Sequence, residues 1–139
     1  MSTSYIEYKE RGFWENDIIV EIMSAYLLCF LQKIEDKPSW LIEFQELVKY
    51  NSKGYYIGWM HFDLDEYLTT AERREKLVDI LHSLRNQLDN NSDMLDLSEL
   101  NVLYETDSDK AEYQGTISKQ KVIEVINKFI MLIRELNIE

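Results

Sequence analysis

The scarcity of chain breakers constrains this sequence more than any other feature. One proline and four glycines interrupt 139 residues, whereas each tight hairpin of a β-rich fold asks for glycine, asparagine or aspartate at positive φ. Long helices need no such residues. The sequence therefore favours helices, and its length is typical of one domain with a core of its own.

Apolar residues recur at helical spacing in four stretches of the chain. The stripe over about residues 17–33 covers most of the helix circumference, which is typical of a helix at the centre of a bundle. A leucine stripe over Leu77–Leu88 follows heptad spacing and predicts a helix that lies along an antiparallel neighbour. The other two helices are predicted from about residue 39 to the stretch 51–54, and over about residues 119–136.

Capping residues indicate where these helices begin. Asn16 or Asp17 precedes the first apolar stripe, and Ser118 precedes the last. Each side chain can accept a hydrogen bond from a backbone amide that has no partner inside the helix. Thr69 and Glu72 stand at the spacing of a capping box, so the heptad helix is predicted to begin directly after Thr69.

Two stretches carry weaker patterns. Over residues 55–68, apolar residues alternate with His61, Asp63 and Asp65, which is the period of a strand in a segment too short to need a sheet. We expect an extended segment or irregular turn there, and one or two helical turns followed by a polar loop over residues 95–113. The predicted fold is all-α: an antiparallel bundle of about four main helices plus short helical pieces, in a single domain spanning residues 1–139.

The charge balance bears on the class of partner. The chain has 15 lysines and arginines against 26 aspartates and glutamates, a formal net charge of −11. A surface of that sign repels a phosphate backbone, so we expect no direct nucleic-acid binding. It attracts a basic protein, although a solvated surface that keeps the chain in solution explains the charge equally well.

Cysteine usage and the apolar runs bear on location. Cys29 is the single cysteine, so no disulfide framework exists, which fits a reducing compartment. Within the most apolar helix, Cys29 is expected to be a small core residue. Residues 1–11 lack the apolar core of a signal peptide, and the longest apolar run, Ile18–Leu31, is shorter than the roughly 20 residues that cross a bilayer. We expect a cytoplasmic protein without membrane association.

No catalytic or metal-binding signature is complete. His61, Asp63 and Asp65 share one face if extended and could ligate a divalent metal, but their spacing matches no established ligand pattern and is more often that of a solvated face. An EF-hand loop in the following acidic stretch fails, because Met94 and Leu100 occupy its required glycine and glutamate positions. We expect no enzyme activity, no cofactor and no metal.

Aromatic and acidic residues supply the candidates for partner contact. Tyrosine and tryptophan anchor many protein interfaces, and carboxylates attract basic partners. The chain has three tryptophans and nine tyrosines, several beside acids; Trp40 is expected in the core. The candidate partner-binding residues are Asp63, Asp65, Glu66, Tyr104, Glu105, Asp107, Asp109, Glu112 and Tyr113.

Three short segments give the chain a family resemblance. They are Arg11-Gly12-Phe13-Trp14-x-x-Asp17 ahead of the first apolar helix, Phe62-Asp63-Leu64-Asp65-x-x-Leu68 ahead of the capped helix, and Gly115-Thr116-Ile117 ahead of the last helix. With this layout, nearly the whole chain resembles the small acidic helical immunity proteins that accompany bacterial contact-dependent growth-inhibition toxins.

The resemblance implies a role in binding. Such a protein would bind its cognate toxin domain, often a nuclease, and occlude its active site inside the producing cell. A nuclease needs a positive cleft for phosphates, and an acidic protein is complementary to that cleft. The alternative is an acidic protein-binding adaptor or a regulatory helical dimer with no toxin partner, which a stable homodimer through the heptad helix would favour.

Overall fold

Residues 3–16 form a β-hairpin. Strand β1 (Thr3–Tyr8) pairs antiparallel with strand β2 (Arg11–Asn16) in a computed structural model that describes residues 2–106, 110 and 112–135. Lys9 and Glu10 form the turn with φ of 51° and 65°, the positive values that a two-residue type I′ turn requires. One face of β1 is buried and the other is exposed, so the hairpin covers the core with one side only.

The helices follow in an order that the apolar stripes largely predict. They are α1 (Asp17–Gln32), α2 (Ser39–Ser52), the short α3 (Leu64–Tyr67), α4 (Ala71–Asp89), a 3₁₀ helix (Leu97–Tyr104) and α5 (Lys119–Ile133). Asn16 caps α1 by accepting hydrogen bonds from the amides of Ile18 and Ile19, and Ser118 caps α5. Helix α5 ends at Ile133, before the predicted boundary at Leu136, which lies outside the described residues.

A second small sheet encloses the 3₁₀ helix. Strand β3 (Met94–Asp96) pairs antiparallel with β4 (Thr116–Ser118), with Leu95 opposite Ile117. The pairing brings together the two ends of the acidic stretch between α4 and α5. The helical turns predicted over residues 95–113 are confirmed as the 3₁₀ helix, whereas the sequence did not indicate the sheet beside them.

The all-α prediction is therefore wrong. The part of the chain that the structure describes is 58% helical and 14% strand, with two antiparallel sheets. Residues 60–65, where the sequence alternates with strand period, form no strand. Residues 60–63 run irregularly into α3, which begins at Leu64, and Asp63 has a φ of 48°. Strands β3 and β4 are short, and the turn between β1 and β2 consists of Lys9 and Glu10. The sequence therefore lacks the glycine or asparagine that usually indicates a hairpin.

Helix α1 lies at the centre, as its apolar circumference predicts. It contacts α2, α4, α5, the 3₁₀ helix and β2. The rings of Phe13 and Phe62 pack edge to face against Phe129 of α5, at ring-centroid distances of 5.4 and 4.9 Å. Helix α5 therefore packs against both the hairpin and the segment before α3. Trp40 is 8% exposed and belongs to the core, as predicted, whereas Cys29 is only partly buried. None of the helices within the described residues is long and apolar enough to cross a membrane.

The start of α4 differs from the predicted capping box by one residue. Thr70, not Thr69, is the N-cap, and its hydroxyl accepts a hydrogen bond from the Arg73 amide at 3.2 Å. Replacing Thr70 with alanine should lower the free energy of unfolding by about 1 kcal/mol, because a helix-terminal amide loses its acceptor. Thr69→Ala is the matched control and should change stability by less than about 0.5 kcal/mol. Urea denaturation of both variants measures the difference, and equal losses would contradict the assignment.

Candidate functional site

The exposed face of the hairpin is aromatic. Tyr5 and Trp14 are cross-strand partners, 40% and 65% exposed, with ring centroids 5.2 Å apart. A Cβ atom at position 12 would lie 2.8 Å from Cζ of Tyr5, so the Tyr5 ring lies over Gly12. Glycine at this position leaves room for the tyrosine ring to approach the backbone closely beside the indole. The hairpin thereby presents a broad aromatic surface on the side away from the core.

A second aromatic group lies in the connection between α2 and α3. The indole of Trp59 is 62% exposed and stacks on the His61 ring at 4.9 Å with an interplanar angle of 17°. Tyr56 packs against both rings at 4.8 and 4.6 Å. Asn51, which is fully buried, donates from Nδ2 to the His61 carbonyl at 2.7 Å. The connection is therefore fastened to α2 at the residue that carries the imidazole.

The buried carboxylate of Asp17 joins these two aromatic groups. Its Oδ1 accepts a hydrogen bond from the Ser4 hydroxyl at 2.5 Å, and its Oδ2 accepts one from the Gly58 amide at 2.6 Å. The Ser4 hydroxyl oxygen in turn accepts from the Met60 amide at 2.8 Å. Asp17 is 1% exposed. Because Ser4 adjoins Tyr5 and Gly58 adjoins Trp59, the network fixes the hairpin and the connection next to each other.

An acidic groove lies between the hairpin and α3. Its volume is about 300 Å³. Among the described residues, its lining contains four carboxylates and neither lysine nor arginine. The Asp65 carboxylate accepts a hydrogen bond from the Lys9 amide at 2.9 Å, which ties α3 to the hairpin turn. The lining residues are Tyr5, Glu7, His61, Phe62, Asp63, Leu64, Asp65 and Glu66.

The structure separates the predicted partner-binding residues into two places. Asp63, Asp65 and Glu66 meet in the groove, whereas Glu105 and Glu112 are exposed in the stretch between the 3₁₀ helix and β4. Asp107 and Asp109 lie outside the described residues. The groove therefore contains one predicted cluster, joined by Glu7 and by aromatic residues that the sequence did not single out.

Tyr104 and Tyr113 are not exposed anchors. Each is 7% exposed, and their hydroxyls donate to the Oγ and the carbonyl of Ser52, respectively. Burial raises the pKa of the Tyr113 phenol, and the nearby Glu21 raises it further. The Lys110 ammonium lies 4.1 Å from the centroid of the Tyr113 ring. These tyrosines hold the acidic stretch against α2, so their role is in the fold.

The histidines have structural partners. His61 stacks on Trp59, and its Nδ1 lies 3.1 Å from the Trp59 carbonyl. His82 contacts Arg85 at 2.6 Å, and desolvation, followed by that cation, lowers the pKa of its imidazole. Within the ranges that the structure describes, no three histidine, cysteine or acidic side chains are grouped to hold a metal ion.

Comparison of the chain with protein-family models, with curated proteins and with solved structures gives no significant match. Four residues of this candidate site, Tyr5, Glu7, Trp14 and Trp59, were not among the partner-binding residues selected from the sequence. The alternation of exposed and buried residues in β1 is visible in the sequence as Tyr5-Ile6-Glu7-Tyr8 and could have identified the first two.

Removal of the Asp17 carboxylate should disorganise the site. Asp17→Ala leaves the buried Gly58 amide and the Ser4 hydroxyl without their acceptor, so we expect a loss of about 2–4 kcal/mol in the free energy of unfolding. Asp79→Ala, which removes the same charge from the exposed surface of α4, should cost less than about 0.5 kcal/mol. Urea denaturation gives both values. Similar values for the two variants would show that the network does not support the fold.

Proposed function

We propose that this chain is an immunity protein that binds a basic toxin domain of a contact-dependent growth-inhibition system and neutralises it by covering its active site. The observation that carries the proposal is the position of the exposed rings of Tyr5, Trp14 and Trp59 beside the acidic groove. Large exposed aromatic side chains next to charged groups are typical of the anchors of protein interfaces.

Charge and aromatic rings have different parts in this function. A net charge of −11 speeds the encounter with a basic domain, and the effect weakens as salt screens it. The energy of a stable complex comes largely from anchors that become desolvated at the interface. The aromatic residues of the hairpin and of the connection supply such anchors, and the carboxylates of the groove supply the complementary charge.

Occlusion fits a toxin that acts on nucleic acid. A nuclease holds its substrate in a positive cleft, and a surface bearing carboxylates offers that cleft the same sign of charge as the phosphates. In this function the binding event is itself the activity, which requires neither catalysis nor a cofactor. Neutralisation takes place in the cytoplasm of the producing cell, before the toxin reaches its target.

Charge reversal in the groove should abolish protection. Cells that produce the cognate toxin domain are expected to survive with the wild-type chain and to die with Asp63→Lys/Glu66→Lys. These two carboxylates are exposed in the groove, and Asp65 is left intact because it accepts the Lys9 amide. We expect the affinity for the toxin to fall by at least about tenfold at low salt, the equivalent of about 1.4 kcal/mol.

The matched control reverses two exposed carboxylates on α4. Glu75→Lys/Asp79→Lys changes the net charge by the same amount away from the groove, and it should retain affinity within about threefold, since distant charges act mainly through a screened field. Calorimetric titration with the purified toxin domain measures both variants. Equal weakening would mean that net charge alone drives binding, and capture of no toxin domain would favour the adaptor function instead.

A further inference from the structure

The exposed rings of the site offer flat faces. The Tyr5 ring lies over Gly12 and is tilted by 49° from the Trp14 ring, whereas Trp59 is stacked on His61 at an interplanar angle of 17°. Among the described residues, none of the chain's own lysines or arginines lies over the rings of Tyr5, Trp14 or Trp59. Other aromatic rings do carry such a cation: the Arg73 guanidinium lies 5.4 Å from the Trp40 ring centroid.

Carboxylates line the same groove as the Tyr5 ring. Tyr5 and Glu7 are two residues apart on the exposed side of β1, so their side chains are neighbours on one surface. His61 and Asp63 line the opposite side of the same groove. A cation that lies on the Tyr5 ring therefore has a carboxylate within reach at its rim.

Guanidinium fits this arrangement better than ammonium does. The guanidinium group is planar and weakly hydrated, stacks on aromatic rings and donates two parallel hydrogen bonds to a carboxylate. The lysine ammonium is a compact and strongly hydrated point charge, without a flat face or a fork of donors. Carboxylates alone would bind either cation without preference. Here aromatic rings and carboxylates lie together, which favours guanidinium.

We infer that the hairpin face and the adjoining groove dock an arginine-bearing segment of the partner, with the guanidinium on the Tyr5 ring beside Trp14 and hydrogen-bonded to Glu7 or Asp63. The inference rests on the proposed function for the partner's identity as a basic toxin domain. The recognition chemistry depends only on the residues of this surface.

The test uses the full chain and two short blocked peptides that differ only in having arginine or lysine at the same positions. Indole N–H resonances report on the site, because Trp14 and Trp59 are 65% and 62% exposed whereas Trp40 is 8% exposed. The arginine peptide should shift the Trp14 resonance and leave that of Trp40 in place. Its dissociation constant should be about two- to fivefold lower than that of the lysine peptide, the size of an exposed cation–π contact.

Two variants separate stacking from charge. Tyr5→Thr and Trp14→Thr remove the rings and keep residues that favour strands, so the preference for arginine should disappear while weak binding of both peptides persists. An unchanged Trp40 resonance verifies that each variant is folded. Equal affinity of the wild-type chain for both peptides, or an arginine-induced shift that leaves Trp14 unaffected, would overturn the inference.

The same variants distinguish this inference from the proposed function. Suppose that protection survives Tyr5→Thr and Trp14→Thr, and that the wild-type chain binds the two peptides equally. The immunity function would then stand and arginine recognition would be rejected. Selective arginine binding without protection against the toxin domain would retain the recognition chemistry and reject the toxin as the partner.

Discussion

The buried carboxylate of Asp17 is the interaction on which the arrangement of the surface depends. A carboxylate that is 1% exposed is stable only where hydrogen bonds replace its water shell. Its donors come from Ser4, 13 residues before it, and from Gly58, 41 residues after it. One side chain at the start of the central helix thus specifies where two distant segments lie. An uncharged acceptor in its place would form weaker bonds to both.

This network explains why the aromatic side chains can remain exposed without collapsing into the core. Ser4, Ile6 and Tyr8 occupy the inward face of β1, and the ladder with β2 fixes that register, since a slip of one residue would turn Tyr5 inward. In the connection, the Gly58 and Met60 amides are held by Asp17 and Ser4, which leaves Trp59 between two fixed points. The exposed indole is therefore held by the backbone on each side of it, not by burial of its own ring.

The long helices could be predicted from the sequence because their signals are local. The apolar circumference of α1 and the caps Asn16 and Ser118 each depend on residues within a few positions of one another. The first hairpin was missed because Lys9 and Glu10 adopt positive φ without the glycine or asparagine that normally indicates such a turn. The capping box at Thr69 was displaced by one residue because Thr70 offers the same hydroxyl.

The site was harder to predict because it is assembled from segments that are far apart in sequence. Charge clustering identified Asp63, Asp65 and Glu66, which α3 presents together. It also selected Tyr104 and Tyr113, whose hydroxyls meet Ser52 more than fifty residues earlier in the chain. The sequence around a tyrosine beside acidic residues does not indicate whether its hydroxyl forms a hydrogen bond with water or with a buried serine. The discriminating information is the contact with α2, which no local pattern contains.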